Sequence, residues 1–252
     1  MHRHPNWYLD PVVAQQKQAV HLAWIERNLP PGRVPVLLKT DLFEEAHGED
    51  QLLFNLPRQT DLGIGIDVDA ATTRAAAARW PRACACFVTS DVRSLPLRSD
   101  SVDVVLSNST LDHFAAEQDI HHAIVELARV LKPGGRLLVT LDNPRNLLYP
   151  SLRAFANRSG LSFRLGRTLG QTQLQQALDQ AGFDVLSTDW LLHNPRCVST
   201  AMFLGIRRLL GQHADPIIRA LLHLFDLAGR LPTRPWTGVF IAACGRKRPA
   251  SH

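Results

Sequence analysis

The chain has 252 residues, 45% of them apolar and 20% charged, which is enough material for one packed domain with elaborations. No stretch reaches the roughly 18 consecutive apolar residues needed to cross a bilayer, residues 1–10 lack the apolar core of a secretory signal, and four cysteines are too few for a disulfide scaffold, so a soluble, cytoplasmic protein is expected. The net charge of +5 is uneven: residues 1–150 carry 15 basic and 18 acidic side chains, a balance of −3, whereas residues 151–252 carry 13 and 5, a balance of +8. Because 24 of the 28 basic residues are arginine, a compositional habit, the excess alone is not read as a ligand site.

Helix-like and strand-like periodicities alternate along the chain, the pattern of an α/β fold with helices on both faces of a mostly parallel sheet. An opening helix over 11–29 runs into the Pro30, Pro31 and Gly32 break, and strand 1 follows over 34–38, ending at Lys39 and Thr40. Strand 2 is expected over 62–68, and the alanine-rich stretch 70–80 behind it favours helix on propensity. Strands 3 (84–91) and 4 (101–108) each turn abruptly from apolar to polar, as strands that deliver residues to a cleft do. In the next helix Ile120, Ile124, Leu127 and Leu131 step at one-face spacing, and Lys132, Pro133, Gly134 and Gly135 end it before strand 5 at 136–143. Thr172 is expected to cap a helix closed by Gly182, followed by a strand over 183–192. Asp215 with Pro216 is expected to cap another helix closed by Gly229, and the last strand spans 237–244. The expected whole is one domain with a Rossmann-like, doubly wound, seven-stranded sheet: a helical segment 1–33, a cofactor-binding half 34–143, and a substrate-side half 144–252. Insertions fall at 144–170 and 194–235.

In such a sheet the ligand sits outside the carboxyl ends of the strands, where strand order reverses. The candidates are therefore Lys39, Thr40 and Asp41; Asp67, Val68 and Asp69; Asp91, Val92 and Arg93; and the stretch from Asn108 to His113. An acid ending strand 2 can accept hydrogen bonds from both ribose hydroxyls of a nucleoside. Asp67 suits that role, since Asp69 is the better cap for the following helix. No hydrolase triad signature, phosphate-cradling loop or zinc-ligand spacing is present, and no metal is expected.

Three stretches, GIDVD at 65–69, DVRSLPLRSDSVDVVLSNSTLDHF at 91–114 and ELARVLKPGGRLLVT at 126–140, together resemble the class I S-adenosylmethionine-dependent methyltransferases. The resemblance covers about residues 60–142 and implies S-adenosyl-L-methionine as cofactor. It implies Asp67 and the adjoining Val68 on the ribose side, Asp91 on the adenine amino group, the Val92 amide on an adenine ring nitrogen with Arg93 beside it, and Asn108 and Ser109 near the methionine part. A carboxylate followed by a backbone N–H offers the acceptor and the donor that adenine needs.

The family's glycine-rich first loop is missing: VLLKTDLFEEAHGED has no glycine before Gly48. Reading DLGIGID at 61–67 as that loop fails on spacing, because the 24 residues from Asp67 to Asp91 fit one strand, one helix and one strand, and no second strand would then fit before Asp91. The sequence instead resembles a methyltransferase subset carrying KTDLF followed by acids, paired with STLDHF, here at 39–46 and 109–114. In place of glycine contacts, Lys39 could neutralise the cofactor carboxylate, with Thr40 beside it, and Asp41 or Glu45 could pair with its ammonium group.

On the acceptor side, His113 is the candidate general base and Asp112 a further catalytic candidate, while His193 and Arg196 are candidate substrate contacts. The apolar, arginine-bearing insertion at about 198–231 is read as a lid over an apolar acceptor ahead of a subunit contact, possible in a homodimer, or a peripheral membrane contact. The resulting expectation is an enzyme transferring a methyl group to a small molecule, at oxygen, with no nucleic-acid partner. The alternative is a methyltransferase fold that has lost catalysis and serves as a binding partner.

Overall fold

The computed structural model describes residues 10–56, 60–80, 84–150, 154 and 166–249. Helix α1 (Pro11–Asn28) starts under an Asp10 cap whose carboxylate accepts the Val12 amide at 2.9 Å. Then come β1 (Val34–Thr40), the short α2 (Phe43–His47), β2 (Thr60–Asp67), α3 (Ala70–Arg79), β3 (Ala85–Thr89), β4 (Val102–Asn108), a single 3₁₀ turn (Leu111–His113), α4 (Glu117–Val130) and β5 (Leu131–Asp142). The second half adds α5 (Gln171–Gln180), β6 (Phe183–Leu191), α6 (Arg196–Leu210), a 3₁₀ turn (Gly211–Ala214), α7 (Asp215–Ala228), the one-turn α8 (Arg234–Thr237) and β7 (Phe240–Lys247).

The seven strands form one sheet in the order β3-β2-β1-β4-β5-β7-β6, parallel except for β7, which runs antiparallel to both β5 and β6. Order reverses between β1 and β4, so the carboxyl ends of these two strands open the crevice that α/β sheets use for ligands. Alternation along β5 shows how the sheet is sandwiched. Leu137, Val139 and Leu141 enter the core beneath α4 and α5, and Leu138 points to the opposite face, where Trp24 and Ile25 of α1 and the capping Leu29 lie. A third, smaller core joins Val12 and Val13 at the start of α1 to Phe203 of α6 and Ile218 and Leu222 of α7.

Several expected boundaries move. The cap of α5 is Gly170, with the Gln173 side chain accepting the Gly170 amide at 2.8 Å, and not Thr172, which lies inside the first turn. Ala214 precedes α7, so Asp215 is its first residue and pairs with Arg207 at 2.6 Å. Strand β5 begins at Leu131 because Lys132–Gly135 bulge within the pairing to β4, and only Gly134 of the two glycines takes positive φ, at 80°. Strand β3 is shorter than the expected 84–91, and β7 lies three residues later than 237–244. Among the described residues no helix is long and apolar enough to cross a membrane.

Candidate functional site

The first loop is built from side chains. Lys39 and Glu45, 2% and 0% exposed, form an ion pair at 2.7 Å, and the Lys39 ammonium also donates to the Asp41 carbonyl at 2.5 Å. Burial works against the lysine charge, but the carboxylates of Glu45 and Asp41 outweigh it and hold its pKa above the ordinary lysine value. The other Glu45 oxygen accepts the Leu52 and Leu53 amides at 3.0 and 3.1 Å. Both partners are thus engaged with each other and with backbone groups inside the loop. A second staple, from Lys17 to Glu44 (2.9 Å) and Asp50 (2.6 Å), ties α2 to α1.

The glycines of LGIGID make room for this loop. A Cβ on Gly65 would sit 2.6 Å from the fully buried Leu42, and one on Gly63 would be 3.4 Å from Leu53. They belong to β2, in agreement with the spacing argument against their being the cofactor loop.

Asp41 turns the chain at φ 65°, a left-handed conformation usually left to glycine, and its carboxylate accepts the Phe43 amide at 2.8 Å. Burial raises the Asp41 pKa, the neighbouring Asp67 charge adds to it, and Lys39 and His113 oppose it. Asp67, at the end of β2, accepts the Leu42 amide at 2.9 Å and the Asp69 amide at 2.8 Å, while Asp69 caps α3 as expected. Val68 is exposed beside them. Thr40, fully buried, bonds Ser107 at 3.0 Å and Thr110 at 2.7 Å, a hydroxyl chain that clamps the ends of β1 and β4 together.

Next along the edge, the Asp91 carboxylate takes both Nε and Nη2 of Arg93, whose Nη1 reaches Asp119 at 2.8 Å and whose guanidinium lies 5.0 Å from the Phe114 ring. These hydrogen bonds hold the Asp91 pKa below the usual carboxylate range. Val92 is buried behind them. After β4, Asn108 accepts from Thr140 at 2.8 Å, and Ser109, at φ 50°, donates its amide to Thr140 and its hydroxyl to Asp112 at 3.0 Å. Asp112 is 3% exposed and also accepts the Asp142 amide at 2.6 Å; burial, with the Asp142 charge second, pushes its pKa up to about 6. Asp112 is therefore a staple under the turn, held by Ser109 and the Asp142 amide. His113 beside it is exposed, and residues 166–167 close on its other side through Gly166 to the Asp112 carbonyl (3.0 Å) and Arg167 to the Phe114 carbonyl (2.7 Å).

His193 is half-buried, with Nδ1 2.9 Å from the Thr237 hydroxyl, and burial lowers its pKa. The Arg196 side chain lies outside the described residues, though its backbone begins α6. Two groups escaped the sequence reading: Asn143 and Asn146. Their side-chain amides bind the carbonyls of Pro235, Thr237 and Gly238 and fasten the 143–149 loop to α8. NPRN after a strand is a weak turn signal, and nothing local reveals a partner some 90 residues away.

Acceptors at the ends of β2 and β3, a backbone amide after the second, and the turn after β4 converge on the switch point, a donor set that suits an adenosine. A family model described as a methyltransferase domain matches residues 46–139. A relative from Mycolicibacterium smegmatis, named as an S-adenosylmethionine-dependent methyltransferase, is 32% identical over 181 residues, covering 70% of this chain and 59% of its own. Residues 46–139 thus match a methyltransferase domain, and the chain is similar to S-adenosylmethionine-dependent methyltransferases. The adenosine-facing residues above fit S-adenosyl-L-methionine, the cofactor that relative is named for, whereas the first loop offers the amino-acid end a turn filled by Lys39 and Glu45. A malonyl-acyl-carrier-protein O-methyltransferase from Methylovorus is 32% identical over 97 residues, 38% of this chain and 31% of its own. The chain spans about three fifths of the length of the first curated relative and a quarter of a second, a biotin-biosynthesis protein from Cellvibrio japonicus. In solved structures the same fold appears in a methyltransferase bound to the Haloferax volcanii Trm112 activator (TM-score 0.61, 16% identity, 94% and 92% covered) and in the cyclase SpnF (TM-score 0.55, 18% identity, 90% and 80% covered).

Proposed function

We propose that the protein transfers a methyl group to the oxygen of a small, largely apolar acceptor. The observation that carries the reading is the pair of acids, Asp67 and Asp91, ending adjacent strands at the switch point, with the Val92 amide after the second. Bound there, S-adenosyl-L-methionine supplies an already activated methyl electrophile. The chain's own work is then positioning and proton management. Asp67 accepts from the ribose, Asp91 accepts the adenine amino group once Arg93 swings toward Asp119, and Asp41 takes the ammonium group, since Glu45 is spent on Lys39, and Glu44 and Asp50 on Lys17. His113, the exposed side chain of the turn after β4, takes the acceptor proton at an imidazole nitrogen. His193, Arg196 and the α6–α7 hairpin border the acceptor.

Titrating S-adenosylhomocysteine by calorimetry tests the reading. Asp67→Ala and Asp91→Ala should each weaken binding roughly tenfold or more, the loss of a charge-assisted hydrogen bond. Asp41→Asn should weaken S-adenosylhomocysteine while leaving adenosine almost unaffected. Unchanged affinity in all three folded variants overturns the assignment. The buried Lys39–Glu45 pair favours a second reading, a fold that has kept its frame and serves as a binding partner without catalysis; it predicts no heat with either ligand in the wild type.

A further inference from the structure

Helices α6 and α7 each bury one stripe in the third core and turn another outward. On α7 the outward positions Ile217, Ala220, Leu224 and Leu227 step by three and four residues, one helix face, Leu224 is 60% exposed, and the exposed Leu231 follows just past the helix end. On α6 the outward set is Val198, Ala201, Gly205 and Leu209, the last 84% exposed. Trp236, half-exposed, and Leu147 adjoin one another through the Leu147 amide and the Trp236 carbonyl at 3.2 Å. A monomer with no use for such a surface would not leave this much aliphatic and aromatic side chain in water.

The charges beside it have one sign. Arg207 is committed to Asp10 and Asp215, and Arg234 to Asp189. The hairpin's two acids are spent as well, Asp215 on Arg207 and Asp226 on Gln16 at 2.5 Å. Arg208, Arg219 and Arg230 are exposed and carry no ion pair among the described residues. Arg219 lies along the α7 face next to the apolar stripe, together with the exposed His223, and Arg230 follows in the turn just beyond the helix.

We propose that the α6–α7 hairpin docks on an anionic lipid surface, the apolar stripe entering the headgroup boundary, the arginines meeting the phosphates and Trp236 anchoring one edge. An apolar helix face flanked by cations, with an aromatic at its margin, is the composition of an interfacial helix. A second copy fits less well, because a two-fold contact would bring this cationic margin against itself without any free acid to answer it. The site does not depend on methyl transfer. All of residues 192–239 lie between the carboxyl end of β6 and the β7 residues paired with the end of β5, so docking would turn the crevice of the sheet toward the membrane.

Co-sedimentation of the full chain with vesicles of phosphatidylcholine alone, and with about 30% phosphatidylglycerol, tests the proposal. The wild type should pellet with the anionic vesicles and be released by salt. Replacing Arg208, Arg219 and Arg230 together by glutamine should lower partitioning by roughly two orders of magnitude. Leu224→Asp should abolish it with an unchanged melting temperature, since neither change touches a buried group. Wild-type protein left in the supernatant with both vesicles, or equal binding to both, overturns the proposal. So does a dimer in sedimentation that Leu224→Asp dissociates, which assigns the face to a second copy, or retention by polyglutamate without vesicle binding, which assigns it to an acidic protein.

Discussion

His21 is the side chain whose setting is least expected from its neighbours in sequence. It lies on the buried face of α1, 1% exposed, with Nδ1 2.8 Å from the Lys17 carbonyl, its ring edge-on to Phe240, and Nε2 without a hydrogen-bond partner among the described residues. Burial, reinforced by the Lys17 charge, lowers its pKa to about 4. The folded value is below the unfolded one, so the unfolded chain binds the proton first as pH falls. Stability is complete above about pH 6.5 and drains away between there and pH 4. At about pH 5 the loss from this residue should be about 2 kcal/mol. Urea unfolding at about pH 7.5 and pH 5 should show this drop in the wild type and a smaller one in His21→Gln; equal drops would mean that other groups govern the acid limb. The same contrast of burial and charge separates the acids of the crevice. Asp41 and Asp112 are pushed up by burial, and Asp91 is held down by Arg93, a division that sequence could not reveal because it depends on which neighbour folds against each carboxylate.

Among elements, the loop between β1 and β2 departs furthest from the glycine-rich form of the methyltransferases that the chain resembles, and its stability can be argued from one pair. Lys39 and Glu45 are both fully enclosed, and removing one member of a buried pair leaves the other charge unanswered, at a cost of about 3–5 kcal/mol. Lys39→Met should lower unfolding stability by about that much, and Lys39→Met with Glu45→Gln should recover part of it, because an uncharged amide can still accept from Leu52 and Leu53. No recovery in the double variant would mean that the ion pair is not what holds the loop. The strands and main helices around this loop were legible because each carried a period and a stop: Ile120, Ile124 and Leu127 on α4, the apolar run before Asn108, the Asp69 cap. The interior of the loop was not. KTDLFEEAH reads as a solvated, charged segment, and only tertiary contacts show that Lys39 and Glu45 face each other while Gly65 leaves room for Leu42. The setting of Asp112 was hidden for the same reason, since a polar residue after β4 sits equally well above or below the turn, and hydrogen bonds from Ser109 and Asp142 draw it under.

At the scale of the whole molecule, stability is divided among three cores of unequal reach. Two of them sandwich the sheet and share its strands, so Leu137 on one face and Leu138 on the other report on the same cooperative unit. The third joins only the start of α1 to α6 and α7, helped by Arg207 bridging Asp10 and Asp215 and by Gln16 on Asp226. Phe203 is its largest fully buried side chain, 1% exposed and edge-on to Phe225. Phe203→Ala leaves a cavity that costs about 3–5 kcal/mol, more than so small a cluster can absorb while staying closed. The hairpin should then open without the sheet. Amide exchange in 196–228 and in the first turns of α1 should accelerate strongly, β4 and β5 should keep wild-type protection, and S-adenosylhomocysteine should still bind if its site rests on the strand ends alone. Global acceleration, with β4 and β5 losing protection together with α7, would make the hairpin part of the central core and remove the basis for treating it as a separately moving element of the acceptor side.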